Sequence, residues 1–342
     1  MKRRQLLKQA GILGLFSMLG SFRLNAQDLV PGLGVHAADG YYKFQLGKLE
    51  MLVITDGHLY IHPVQPIFAP GIEKRKVDAA MVDSIPKDAV DAAINVLVIK
   101  KEKRIILIDT GSGALMGDQA GRFLKNLNLA GITAEEVTDI FVTHLHGDHI
   151  GGIIDPKGDL VFKNASYYLS HLEYHFWMSE NPDFSQSKNE GSNADSITLA
   201  RNIVSAIKDK LILYHFGETI LDCIQTELAE GHTPGHPVLT IFSDNQAMRH
   251  MVDAVHTMLL ISHPEWGTQW DVNFQKGIST RKRILEEQFI SKGLTMSCHL
   301  PWPGLGYVTK EGERYGWKAY RKNTTLMELS LFNDEINEGN YL

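Results

Sequence analysis

Residues Asp139 to Gly152 read DIFVTHLHGDHIGG, and the fold is decided by how this stretch is taken. The run Asp139-Ile-Phe-Val-Thr143 has the β-branched, apolar character of a buried strand, and His144 to His149 follow it as a loop. Potential ligands therefore gather at the C-terminal end of a strand, where open α/β sheets place their sites. His144 and His146 are two apart, so an extended backbone turns both imidazoles the same way. Gly147 lets the chain bend, which allows Asp148 and His149 to face the same point from the other side. Gly151 and Gly152 permit close approach of the next segment. An isolated histidine is usually a hydrogen-bonded or surface side chain. Four potential ligands at H-x-H-x-D-H spacing are not, because each partly buried polar group would otherwise need its own partner. Imidazole with carboxylate suits zinc or another borderline divalent ion, with iron and manganese left open, rather than calcium, which takes oxygens.

On either side of that stretch, short apolar runs alternate with helix-length amphipathic segments. Strands are expected over Tyr42 to Leu46, Met51 to Thr55, Asn95 to Lys100, Ile105 to Asp109, Asp139 to Thr143, Tyr167 to Ser170, Val238 to Ser243, Met248 to Asp253 and Leu294 to His299. Helices are expected over Ala120 to Ala130, His171 to Ser179, Ser196 to Lys210 and Arg281 to Ser291. The alternation predicts an α/β fold. No composition break divides the chain, so residues 40–342 are read as a single domain with a helical insertion around 171–212, and the polar stretch Asn181 to Ser196 as its surface loop.

Composition narrows the partners. The 342 residues are 44% hydrophobic and 22% charged, enough for one large core, and 34 basic against 40 acidic side chains give a net charge of −6. That balance offers no footprint for nucleic acid or an anionic membrane. Residues 1–26 have a basic start, an apolar stretch from Ala10 to Gly20 and a small residue at Ala26, the pattern of a cleaved signal peptide. Arg3 and Arg4 followed by Gln-Leu-Leu-Lys resemble a twin-arginine signal, with an ordinary Sec signal as the alternative. Cleavage would remove Lys2, Arg3, Arg4, Lys8 and Arg23 and no acid, leaving 29 basic against 40 acidic residues, a net charge of −11. The expected location is periplasmic or secreted, with no stable membrane span. Cys223 and Cys298 lie far apart; two buried free thiols are preferred over a disulfide. Cys298 adjoins His299, but strand alternation would send it to the opposite face, against its being a ligand.

At this point the residues resemble a known family. The H-x-H-x-D-H run, Asp109-Thr110-Gly111 after the apolar run Ile105 to Ile108, Gly231-His232-Thr233-Pro234-Gly235-His236, Asp253 after an apolar run and a final His299 are together similar to the motifs of the metallo-β-lactamase superfamily. The resemblance covers Tyr41 to the C-terminus. It implies a four-layer αββα sandwich and two divalent ions, preferably Zn2+: one held by His144, His146 and His232, the other by Asp148, His149 and His299, with Asp253 bridging. It also implies a metal-bridging hydroxide as nucleophile, with Asp148 and Asp253 in catalytic roles. Asp109 fits a carboxylate that fixes a ligand histidine's tautomer, although an Asp at a strand-to-turn junction also makes Asx turns. His236 is left outside the ligand set, as a packing residue of its turn.

Two positions depart from the pattern. His256 stands where lactonases of the superfamily carry a tyrosine, so it either takes over the hydrogen bond to substrate and protonates the leaving group or only lines the pocket. Val252 stands where the family often has glycine. Phe176, Trp177, Trp266, Trp270 and Trp302 are candidate walls for an acyl or aryl group, each with core filling as the alternative. With Gly40-Tyr41-Tyr42 and His299 to Gly306, Phe176-Trp177 also resembles the branch of methyl parathion hydrolase and exported lactonases. The implied activity is hydrolysis of lactones such as N-acyl homoserine lactones, or of organophosphate and aryl esters. Three alternatives stand: a β-lactamase, a non-enzymatic metal-binding member of the fold, and a di-iron oxidoreductase, whose branch usually has Glu in place of His146. The expected partner is a small-molecule ester or lactone, and a symmetric homodimer is expected for this branch.

Overall fold

The computed structural model describes residues 40–81 and 88–320; the expected signal peptide over 1–26 lies outside them. Two seven-stranded sheets form the centre. The first runs in chain order through β1 (Tyr41–Leu46), β2 (Leu49–Ile61), β3 (Val90–Lys101), β4 (Arg104–Ile108), β5 (Asp139–Phe141), β6 (Ser166–Ser170) and β7 (Leu211–Tyr214). The second contains β8 (Thr219–Ile220), β9 (Ile224–Leu228), β10 (Pro237–Ser243), β11 (Gln246–His250), β12 (Leu294–Met296), β13 (Leu305–Glu311) and β14 (Arg314–Ala319), again in chain order across the sheet. The helices are α1 (Lys74–Ala80), α2 (Phe123–Leu129), α3 (Gly147–Ile150), α4 (His171–Met178), α5 (Ala194–Ile207), α6 (Met258–Ser262) and α7 (Phe274–Ser291).

The layering follows from strands that are apolar on both faces. In β2 and β3, Met51, Val53, Leu97 and Ile99 point towards Leu239, Ile241 and Met248 of the second sheet and make the inter-sheet core. Their alternating neighbours Leu52, Ile54, Val96 and Val98 pack outwards on Phe123 and Leu127 of α2 and on Ala200 and Ile203 of α5. Ile284 and Leu285 of α7 cover the outer face of the second sheet at Val238 and Val308. The result is the expected αββα stack. Among the described residues no helix is long and apolar enough to cross a membrane.

Several expected boundaries are corrected. β11 ends at His250, because Val252 adopts φ 49° and starts a short 3-10 turn, Val252–Ala254, which carries Asp253. β12 ends at Met296, so Cys298 and His299 sit in a loop and strand alternation does not govern them. Helix α7 begins seven residues before Arg281. Strands β7 to β9 and β13 to β14 were not expected from the sequence. Cys223 and Cys298 are both buried free thiols, as expected.

Candidate metal centre

The turns after β5, β9, β11 and β12 meet at one end of the sandwich. Asp109, at φ 67°, closes β4 and organises the first of them. Its Oδ1 accepts the Thr143 N–H at 2.8 Å, and its Oδ2 accepts the Thr143 hydroxyl and His149 Nδ1–H, each at 2.7 Å. Because the Thr143 hydroxyl donates to Asp109, it accepts from His144 Nδ1, 3.0 Å away. That fixes the proton on Nδ1 and leaves the His144 Nε2 lone pair free.

Three ring nitrogens then face each other: His144 Nε2 lies 3.1 Å from His146 Nδ1, which lies 2.9 Å from His232 Nε2. Burial, followed by the charge of neighbouring histidines, holds His144 and His232 well below the ordinary histidine pKa and takes His146 down to about 3. At neutral pH the three nitrogens are therefore bare acceptors aimed at one point.

A second group forms beside it. Asp148 Oδ2 lies 3.7 Å from His149 Nε2 and 3.4 Å from His299 Nε2, while His299 Nδ1 donates to the Ala93 carbonyl at 2.7 Å. Burial alone would depress His149, but Asp253, Asp148 and Asp109 outweigh it and raise the pKa well above the usual value. His299 is raised in the same way, by Asp253 and Asp148 against burial. Asp253 Oδ2 stands between the groups, 3.4 Å from His232 Nε2, 3.7 Å from His144 Nε2, 3.3 Å from His149 Nε2 and 3.2 Å from His299 Nε2. Burial raises the Asp253 pKa, yet His299, His149 and His256 bring it well below the ordinary carboxylate value.

These residues fit a pair of divalent cations. The bare nitrogens of His144, His146 and His232 satisfy one another only through something positive between them, and His149 Nε2 and Asp253 Oδ1 are buried beside them without a hydrogen bond. Both ring nitrogens of His256 are likewise unpartnered, with Nε2 3.3 Å from Asp253 Oδ2. Its ring lies parallel to that of His299 at 5.6 Å.

The candidate pocket aromatics divide. Trp270 lies 6.0 Å from the His256 ring and 5.4 Å from Phe68, itself 6.2 Å from His256. Trp266 is buried and stacks on His263 at 3.9 Å. Trp177 is fully buried and stands edge-on behind His146 at 5.9 Å, while Phe176 packs against Phe184 at 5.2 Å. Trp302 packs against the inter-sheet core.

Three residues with evident work at the site, Asp271, Arg281 and Glu173, were not singled out from the sequence, and His236, set outside the ligand set, has a supporting role there. His236 Nε2 accepts the Asp253 N–H at 3.1 Å and so holds the turn of the central carboxylate. Asp271 accepts His232 Nδ1–H at 3.1 Å, and Arg281 reaches Asp271 at 3.4 Å, the Ala254 carbonyl at 2.9 Å and the Trp266 carbonyl at 2.8 Å. Glu173 is a fully buried acid in the first turn of α4, and its neighbours His171, Tyr174 and His175 give no sign of that burial in the sequence.

An αββα sandwich with a histidine and carboxylate cluster of this kind at its edge defines a class of metallohydrolases. A family model described as the metallo-beta-lactamase superfamily matches residues 90–247. The solved structure of AidC, a dizinc quorum-quenching lactonase in complex with the product N-hexanoyl-L-homoserine, is 35% identical, with 82% of this chain and 98% of that one covered at a TM-score of 0.78. The hydrolase AbOPH of the beta lactamase superfamily is 27% identical over 82% of this chain and 98% of its own, with a TM-score of 0.75. A probable metal-dependent hydrolase from Staphylococcus aureus, 18% identical over 82% of this chain and 100% of its own, shares the fold at a TM-score of 0.66. No curated protein matches the sequence. The chain belongs to the metallo-β-lactamase superfamily and is a metal-dependent hydrolase.

Proposed function

We propose that the protein is a dinuclear zinc lactonase opening N-acyl homoserine lactones or closely similar esters. One ion would be held by His144, His146 and His232, the other by Asp148, His149 and His299, with Asp253 shared. The observation that carries this reading is the Asp253 carboxylate, whose Oδ2 is within 3.7 Å of ring nitrogens from both groups. Likeness to a lactonase at 35% identity supports the substrate class.

Two bound ions would supply Lewis acidity, polarising the ester carbonyl and lowering the pKa of water to about 7. The chain's own residues do the rest. Asp109, Asp271 and the Ala93 carbonyl hold His149, His232 and His299 in one tautomer and orientation. Asp253, held as a carboxylate between the two groups with Oδ1 3.2 Å from His299 Nε2, is placed to orient the attacking water, whose proton passes to solvent. His256 Nε2 is placed to hydrogen-bond the substrate and to protonate the ring oxygen released when the acyl C–O bond breaks. Phe68 and Trp270 flank His256 as an apolar wall for the acyl chain. The export pattern of residues 1–26 supports action in the periplasm or outside the cell.

The test is one zinc-loaded preparation, its metal counted, assayed on a lactone panel, a paraoxon-type triester and a cephalosporin. Two ions per chain and fastest turnover of an N-acyl homoserine lactone are expected. Turnover of the cephalosporin alone would replace this reading with a β-lactamase, and two tightly bound ions with no hydrolysis at all would replace it with a metal-binding role.

A further inference from the structure

We propose that the first turn of α4, Ser170 to Glu173, sets the separation of the two loops that make the three-histidine pocket, and that Glu173 is its positioning residue. The inference rests on the metallohydrolase reading above and concerns a side chain that touches none of the ligand atoms.

Glu173 is fully buried, and its acceptors are completely used. Oε1 accepts the Leu145 N–H at 3.1 Å and the Trp177 indole N–H at 2.7 Å; Oε2 accepts the Thr233 hydroxyl at 2.6 Å and the Gly235 N–H at 3.1 Å. Four donors are what a buried carboxylate needs when no cation accompanies it. Each donor adjoins the pocket: Leu145 separates His144 from His146, Thr233 follows His232, and the Trp177 ring backs His146 at 5.9 Å. Gly235 leads into His236, which holds the Asp253 N–H.

Ser170 completes the lock. Its hydroxyl accepts the Glu173 N–H at 3.1 Å and donates to the Gly235 carbonyl at 3.0 Å, so the same helical turn grips Gly235 on both its N–H and its carbonyl. The approach leaves no slack: a Cβ on Gly235 would lie 2.2 Å from the Glu173 backbone nitrogen. The His144 and His146 loop comes from the first sheet and the His232 loop from the second, and one carboxylate ties them together.

Glu173→Gln isolates the effect. The amide keeps the shape, but its NH2 must replace one oxygen; the Thr233 hydroxyl can turn round and accept, whereas the Gly235 N–H is left facing a donor. The full-length variant, with Ser170→Ala as a milder companion, should bind its tightest zinc about 10- to 100-fold more weakly in competition with a chromogenic chelator. The visible spectrum of the cobalt-loaded form should shift, and kcat should fall with KM little changed. Leu97→Ala, deep in the inter-sheet core, supplies the comparison: it should lower thermal stability while leaving metal affinity and the cobalt spectrum as in wild type. Wild-type affinity and an unshifted spectrum in both Glu173→Gln and Ser170→Ala would overturn the inference alone. A wild-type chain that binds no divalent ion would overturn the metallohydrolase reading, and this inference with it.

Discussion

His144, His146 and His232 meet through nitrogens that carry no proton at neutral pH, whereas the carboxylates around His149 and His299 raise the proton affinity of those two rings. The two groups therefore take up metal with different proton balances. The first can be filled at pH 7 without losing a proton; the second, whose histidines hold protons more readily, releases more of them as it fills. Affinity at the second group should weaken first as pH falls, and affinity at the first should persist to lower pH. Calorimetric zinc titrations in two buffers of different ionisation enthalpy measure this directly, and equal proton release for both ions would contradict it. The metal-free protein shows the same division in its stability. For the depressed histidines the unfolded chain binds more protons below pH 6.5, so their contribution is lost as pH drops from there, for His146 down to about 3. For His149 and His299 the sign is opposite: their contribution is present at low pH and lost as pH rises through their raised values.

Among the elements, α7 does more at the site than its distance in sequence suggests. Asn273 caps it by accepting the Lys276 N–H at 3.0 Å, and the cap docks on the His232 loop, with Asn273 N–H donating to Gly231 at 2.9 Å and Val272 N–H to His232 at 3.0 Å. Gly277 lies against Asp271, where an added Cβ would come 2.6 Å from Oδ2. Gly277→Ala gains about 1 kcal/mol of helix propensity, but overpacking costs about 1 to 3 kcal/mol, and the shifted carboxylate draws away from His232 Nδ1 and from Arg281, which keeps only its two carbonyl partners. We expect a lower melting temperature and weaker zinc binding. A variant more stable than wild type with unchanged affinity would show that Asp271 has room to move. The sequence concealed this arrangement because Phe274 to Thr280 carries Gly277, Ser279 and Thr280, poor helix formers that made Arg281 look like the start. Glu173, Asp271 and Arg281 were hidden for a related reason. A buried charge is recognised by its partners, and those that tie these three to the site lie 60, 39 and 27 positions away, at Thr233, His232 and Ala254.

For the whole molecule, the legible part was what repeats locally: the apolar runs that became β2 to β6, and a ligand motif compressed into His144 to His149. Strands β7 and β13 have exposed or half-buried positions and no apolar alternation to betray them, since they lie at or near the sheet margins. Their pairing, like the meeting of His299 with Ala93, is a product of the assembled sandwich. This division predicts what metal removal does. The ligands come from turns of both sheets, so bound ions link the two halves at one end, yet Met51, Leu97, Phe141, Leu239 and Met248 hold the sheets together independently. At a free zinc concentration 100 times Kd, one ion stabilises by about 2.7 kcal/mol, whereas burying each large core side chain contributes about 1.5 to 3 kcal/mol. The core outweighs the ions. Chelation should therefore lower the melting temperature by several degrees and abolish hydrolysis while leaving the far-ultraviolet circular dichroism of the folded chain, and zinc should restore both. His144→Ala should resemble the chelated protein in activity and in secondary structure, without recovery on adding stoichiometric zinc. Loss of the circular dichroism signal on chelation at 25 °C would mean instead that the ions, and not the inter-sheet core, hold the sandwich closed.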